Sequence, residues 1–184
     1  PINIDNCIFD NNNSEDGLNI VRSKFKLSNS EFTNTASDAI DIDFSDGLIE
    51  NIKIKNAGND GLDISGSNIT LRNININKSG DKAISVGEAS NLEATDIFVF
   101  DSSIALASKD NSFINGNNVN INSADIGFAV FQKKQEYDSA KIVINDLIYE
   151  NINKLFLLEK KSQLRINDIE YKSNAVNVKS MLYE

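Results

Sequence analysis

Asp38, Asp41, Asp43, Asp60, Asp63, Asp81 and Lys82 are spaced so that a repeating fold would gather them into one cluster able to handle a cation or a proton. Asp16, Asp38 and Asp60 recur at intervals of 22 residues, as do Asn19, Asp41 and Asp63, and Lys82 takes the next place after Asp60. Carboxylates at one position of successive repeats lie side by side, and like charges so placed repel unless something offsets them. A hard cation such as Ca2+ would do so through carboxylate and carbonyl oxygens, which makes Asp38, Asp41, Asp43, Asp60 and Asp63 candidate metal ligands. A plain solvated acidic ridge fits the same column, and a salt bridge closing that ridge fits Lys82. No catalytic residue is assigned outright; if the chain is an enzyme, Asp60, Asp81 and Lys82 are its set, two carboxylates and a cation suited to metal-assisted proton abstraction.

A second chemistry-bearing segment is Gln132-Lys133-Lys134-Gln135-Glu136-Tyr137, where the repeat carries six extra residues. Long turns on a repeat scaffold are the usual place for binding residues, because the scaffold leaves them free to vary. Lys133, Lys134 and Tyr137, together with Lys82, are therefore candidate sugar-binding residues, while an ordinary surface loop fits equally. There is no His, no nucleophile triad, no phosphate loop and no zinc spacing. The single Cys7 cannot form an intrachain disulfide and is expected to be a small buried hydrophobe. Thr33, Thr35, Thr70 and Thr95 form no column, which excludes a flat threonine array of the ice-binding kind.

The elements that position these residues follow from one column. Asn6, Asn29, Asn51, Asn73, Asp96, Asn118, Asp146 and Asp168 are each followed three places on by a large apolar residue, at intervals of 23, 22, 22, 23, 22, 28 and 22. Such a period defines a solenoid. Its eight repeats run approximately 1 to 23, 24 to 45, 46 to 67, 68 to 90, 91 to 112, 113 to 140, 141 to 162 and 163 to 184. Apolar residues alternate on both sides of the Asn column, as in Leu27 and Phe32 or Ile49 and Ile54, which predicts short strands. A further strand is expected through Ile40 and Ile42, Leu62 and Ile64, Ile84 and Val86, Ile104 and Leu106, and Ile126 and Phe128. Three strands per repeat predict an all-β parallel β-helix of eight rungs, a rod on the order of 40 Å long at ~4.8 Å per rung. The Asn/Asp ladder is architecture: its short side chains bond local backbone and tolerate left-handed φ.

The whole chain, 1–184, is one domain with no linker. It opens on Pro1 already inside the repeat pattern, with no amphipathic capping helix, so it is expected to be a piece of a longer protein. A net charge of −9 argues against nucleic acid or an anionic bilayer as partner, and no run of 18 apolar residues predicts membrane insertion. The first 66 residues hold 12 of the 27 acids and only 5 of the 18 bases, so acidity is concentrated at one end.

With its inward aliphatic stacks and Asn ladder, the register resembles the right-handed parallel β-helix repeats of the pectate-lyase-like superfamily over essentially every residue. More narrowly, SDAIDIDF (37 to 44), GNDGLDIS (58 to 65), GDKAISVGE (80 to 88), ALASKD (105 to 110) and FQKKQEY (131 to 137) resemble repeat domains of bacterial surface proteins. Some of those sit beside spore-coat-H-type kinase-like domains. The resemblance implies an extracellular or cell-surface location. Polygalacturonase-type hydrolases of the same superfold carry Asn-Thr-Asp-Gly, then Asp-Asp, then Gly-His-Gly on successive rungs. Here the matching places read Asn59-Asp60-Gly61, Gly80-Asp81-Lys82 and Ser102-Ser103-Ile104. The second carboxylate and the His are missing, so ordinary glycoside hydrolysis, which needs two carboxylates in paired roles, is not expected.

These observations predict a secreted or surface β-helix module, rigid or polysaccharide-binding, with Ca2+ as a possible cofactor. A Ca2+-dependent polyuronate lyase or epimerase is the enzymatic alternative, with Arg72 expected on an outward position in the rung next to Asp63. Self-stacking through open solenoid ends into a filament is the third.

Overall fold

Asn and Asp reach the left-handed region more readily than other residues with a Cβ, and a chain that must bend sharply in every rung places them at the bends. All eight members of the predicted column lie there, with φ from 50° to 66°. A second left-handed column follows five residues later, at Asn11, Asn34, Asn56, Lys78, Asp101, Ser123 and Asn151. A third includes Arg22, Phe44, Gly66, Glu88, Asp110 and Lys161. Three bends per rung give a triangular coil.

The computed structural model describes residues 1–183. Its strands are β1 (Ile2–Asp5), β2 (Ile8–Asp10), β3 (Asp16–Val21), β4 (Lys24–Thr35), β5 (Asp38–Asp43), β6 (Asp46–Ala57) and β7 (Leu62–Ser65). They continue as β8 (Asn68–Gly87), β9 (Asn91–Lys109), β10 (Phe113–Phe131), β11 (Lys141–Leu158), β12 (Gln163–Ile166) and β13 (Ile169–Glu170), before helix α1 (Val178–Tyr183). The longer strands wrap around two or three faces of the coil. Every pairing from β1 to β12 is parallel and links a rung to the next, so the backbone hydrogen bonds between rungs run along the rod.

Inward positions stack into continuous aliphatic columns such as Phe32, Ile54, Ile76, Val99 and Ile121, all buried. Where a column contains glycine it makes room for a neighbour: a Cβ on Gly47 would lie 2.3 Å from the Phe25 ring one rung away. The Asn ladder is bonded as expected, Asn51 donating to Asn29 and Asn73 to Asn51, each at 2.9 Å. A second ladder is buried at the third bend. The amides of Ser23, Ser45, Ser67 and Ser90 donate to the hydroxyls of Ser45, Ser67, Ser90 and Ser112 in turn, at 2.9 to 3.1 Å.

Several expectations are corrected. Between Ser79 and Lys82 the register shifts by one residue, since Ser79 pairs with Ser102 but Lys82 with Ile104. Ile84 therefore stacks on Leu106 and Phe128, while Ile104 and Ile126 continue the column of Lys82 on the outside. The eighth repeat does not complete a rung. β12 turns back into antiparallel β13, Tyr171 packs against Phe156, and the chain ends in the unanticipated helix α1. Cys7 is only partly buried, its thiol near the Asp5 carbonyl. Arg72 is exposed on the rung next to Asp63, as expected, and it continues the Ser28 and Glu50 column on another face of the coil. No helix among the described residues is long and apolar enough to cross a membrane.

Candidate functional site

The outward positions of the strand segment that begins with β3 and β5 form three columns. One runs Asp16, Asp38, Asp60, Lys82, Ile104; the second Asn19, Asp41, Asp63, Ser85, Ala107; the third Val21, Asp43, Ser65, Gly87, Lys109. The face thus grades along the rod from carboxylates, through a band holding Lys82, Ser85 and Lys109, to apolar residues. The columns bring all five predicted metal-ligand positions onto two adjacent rungs.

Crowding shows in their acidity. Burial pushes the Asp41 carboxyl up to about 7, reinforced by Asp43, Asp16, Asp63 and Asp38. Asn19 answers part of this by donating to Asp41 at 2.7 Å. Burial also raises Asp38, which accepts from the Asn59 side chain at 2.7 Å and the Asp60 amide at 2.9 Å, and Asp43, beside Asp63 and Glu88. Asp60 is 3% exposed, and burial carries it to about 6 against the pull of Lys82. Among the described residues no three such groups already converge as a metal-ligating set. Two neighbouring polar atoms are nevertheless buried without a partner: Asp63 Oδ1 and, one rung on, Ser85 Oγ. Lys109 reaches along Gly87 until its ammonium is 3.9 Å from Asp63 Oδ1.

Lys82, 4% exposed, lies 3.5 Å from Asp60 and bonds Asp81. Burial pulls it down, but the two carboxylates outweigh this and hold it well above the usual lysine range. The geometry places Lys82 in ion pairs with both carboxylates. The other three candidates for sugar binding diverge. The Lys133 and Lys134 amides both donate to Asp110, at 2.6 and 2.7 Å, yet the Lys134 ammonium goes to Glu88 and the Lys133 ammonium lies 4.7 Å from the Tyr183 ring centre. Burial, with Lys109 and Lys82 nearby, lowers the Lys133 ammonium. Tyr137 closes the inserted loop through its backbone, its amide bonding the Lys134 carbonyl and its own carbonyl accepting from Gln132.

Helix α1 covers the apolar end of the face. Val178 is buried among Ile104, Ala107, Ala129, Phe131 and Leu157, and Tyr183 stands over Lys82 and Lys133. Ser85 was legible, since it continues the predicted Asn19, Asp41 and Asp63 column at a 22-residue step, whereas Lys109 continues a column that only the structure reveals. Tyr183 was not legible, because it arrives from outside the repeat.

A separate concavity lies along the second bend. A groove of about 570 Å3 crosses five rungs, with Ala57, Ser79, Ser102 and Ala124 as its floor and Asp101, Asp125 and Asn153 among its walls. Ser79 and Ser102, 3% and 6% exposed, stack on one another, and neither hydroxyl has a partner. The one-residue bulge at Gly80 and Asp81 opens beside it. The signal for the groove is a column of small residues at steps of 22, 23 and 22.

A sequence-family profile described as right handed beta helix region matches residues 16–178, and the chain belongs to that family. No curated protein and no solved structure matches the chain significantly.

Proposed function

We propose that the chain is a rigid β-helical module of a surface or secreted protein, and that it binds an extended carbohydrate polymer along its length. The groove of the second bend carries this reading. It runs along the rod, repeats its walls at each rung, and mixes acceptors (Asp101, Asp125) with donors (Lys78, Asn153) as a chain of hydroxyl groups requires. One rung, ~4.8 Å, is close to the length of one pyranose unit in an extended chain.

The test is calorimetry against neutral and uronate polysaccharides, with Asp125→Ala/Asn153→Ala as the groove variant. Binding of at least one polymer, weakened about tenfold in the variant, is expected; no binding across the panel, or equal binding by both proteins, would sink the proposal. Pectate and alginate with Ca2+ also test the lyase alternative through absorbance of an unsaturated product, and NMR of the polymer tests an epimerase.

A second element of the proposal is Ca2+ on the acidic face, supported by the crowding at Asp41 and the unpartnered Asp63 oxygen. Millimolar Ca2+ is expected to raise the thermal midpoint, and less so in Asp41→Asn/Asp63→Asn. An unchanged wild-type midpoint counts against the ion.

A further inference from the structure

On a chain of net charge −9, a concavity near the C-terminal helix is rich in lysine. It measures about 390 Å3 and lies where the inserted loop, the turn after β11 and the start of the C-terminal helical segment meet. Lys133, Lys160, Lys161 and Lys179 line it, with Glu159 the single acid. Among the described residues none of the four lysines forms an ion pair with a carboxylate. Glu159 is one charge against four, and its two oxygens accept the backbone amides of Gln132 at 2.8 Å and Val178 at 3.1 Å. That carboxylate ties the three walls together.

Position in the coil sharpens the contrast. Ser112 bonds the Lys109 carbonyl and Ser162 bonds the Glu159 carbonyl, each at 3.1 Å, so Asp110-Asn111 and Lys160-Lys161 occupy equivalent turns. Asp110 spends its side chain on the Lys133 and Lys134 amides, whereas Lys160 and Lys161 project at the pocket. Four lysines against one carboxylate leave an excess of like charge, and a bound anion relieves that repulsion.

We propose that this pocket binds a tetrahedral oxyanion, a phosphate or sulfate group, held by Lys160, Lys161 and Lys179 with Lys133 at its inner wall. The group is either a free ion or a substituent on a polymer, and the pocket is separate from the groove of the second bend, so each proposal can fail alone.

The probes are inorganic phosphate, inorganic sulfate, dextran sulfate and unsubstituted dextran, measured by calorimetry at low ionic strength and again at raised salt. Two variants with equal charge change are compared: Lys160→Gln/Lys161→Gln/Lys179→Gln, and Lys24→Gln/Lys53→Gln/Lys55→Gln on other faces. All six lysines are exposed, and circular dichroism checks that both variants fold. We expect binding that weakens with salt and falls at least about tenfold in the first variant while the second stays near wild type. Binding of the inorganic ions identifies a free-ion site; binding of dextran sulfate alone identifies a polymer-borne group. Absence of binding by every charged probe, equal loss in both variants, or equal binding of unsubstituted dextran at this pocket overturns the proposal.

Discussion

Replacing Asp41 by Asn should make the protein more stable at neutral pH, although it removes a charge and adds no contact. In the fold the carboxyl titrates at about 7, against 3.8 for the ordinary group. A raised folded value means that stability is fully present below the unfolded value and is lost as pH rises through the folded one. The penalty is therefore absent near pH 3.8, grows toward pH 7 and is complete above it. Taken at face value the difference is worth up to about 4 kcal/mol. The carboxyl is only half-buried, and water screens its neighbours, so about 1 to 2 kcal/mol is the expected gain for Asp41→Asn at pH 8. The amide keeps an oxygen to accept from Asn19, so that hydrogen bond survives. For a chain of this size, the midpoint should rise by about 3 to 6 °C. Urea unfolding at pH 5 and pH 8 checks this: wild type should lose stability between the two, and the variant should lose less. A variant as pH-sensitive as wild type, or less stable than wild type at pH 8, would refute the reasoning.

Lys82→Met should cost about 3 to 5 kcal/mol at pH 8, because it strands the Asp60 carboxylate in a buried site, and adding Asp60→Asn should recover much of that loss in the same urea assay. Ser67→Ala should cost about 1 to 3 kcal/mol by leaving the buried Ser45 amide without its acceptor, whereas Ser14→Ala, on an exposed turn, should change the midpoint little.

The coil was legible because its bends demand left-handed φ, and Asn meets that demand cheaply enough to mark every rung. The bulge at Gly80 and Asp81 defeats the same arithmetic. Both Ile104 and Leu106 are apolar, so pattern alone placed both on the inward strand, whereas Leu106 continues the Ile84 column and Ile104 lies outside it, under the helix. The serine ladder at residues 23, 45, 67, 90 and 112 stood in plain view at the repeat interval. Serine is common in turns, and its spacing alone does not reveal that the hydroxyls accept amides from the preceding rung. Charge spacing located the acidic face, including its crowding at Asp41. It could not show the partners that Lys133 and Lys134 take, because the inserted loop folds back so that both amides bond Asp110 and the Lys134 ammonium goes to Glu88. Helix α1 left no trace in the periodicity, being six residues long and outside it.

The buried serine ladder also gives the rod a mechanical grain. Hydrogen bonds that run along its length are stretched together when tension is applied from end to end, so each junction between rungs resists as a parallel bundle. A pull on one free strand instead peels a single rung at a time. Junctions are not equal in this respect. The chain of serine links stops after Ser112, because the next place is held by Ala140, and it resumes only from Ala140 to Ser162. The missing link falls in the repeat that carries the inserted loop, and there the junction rests on the backbone pairs between β10 and β11 without a serine bond to add to them.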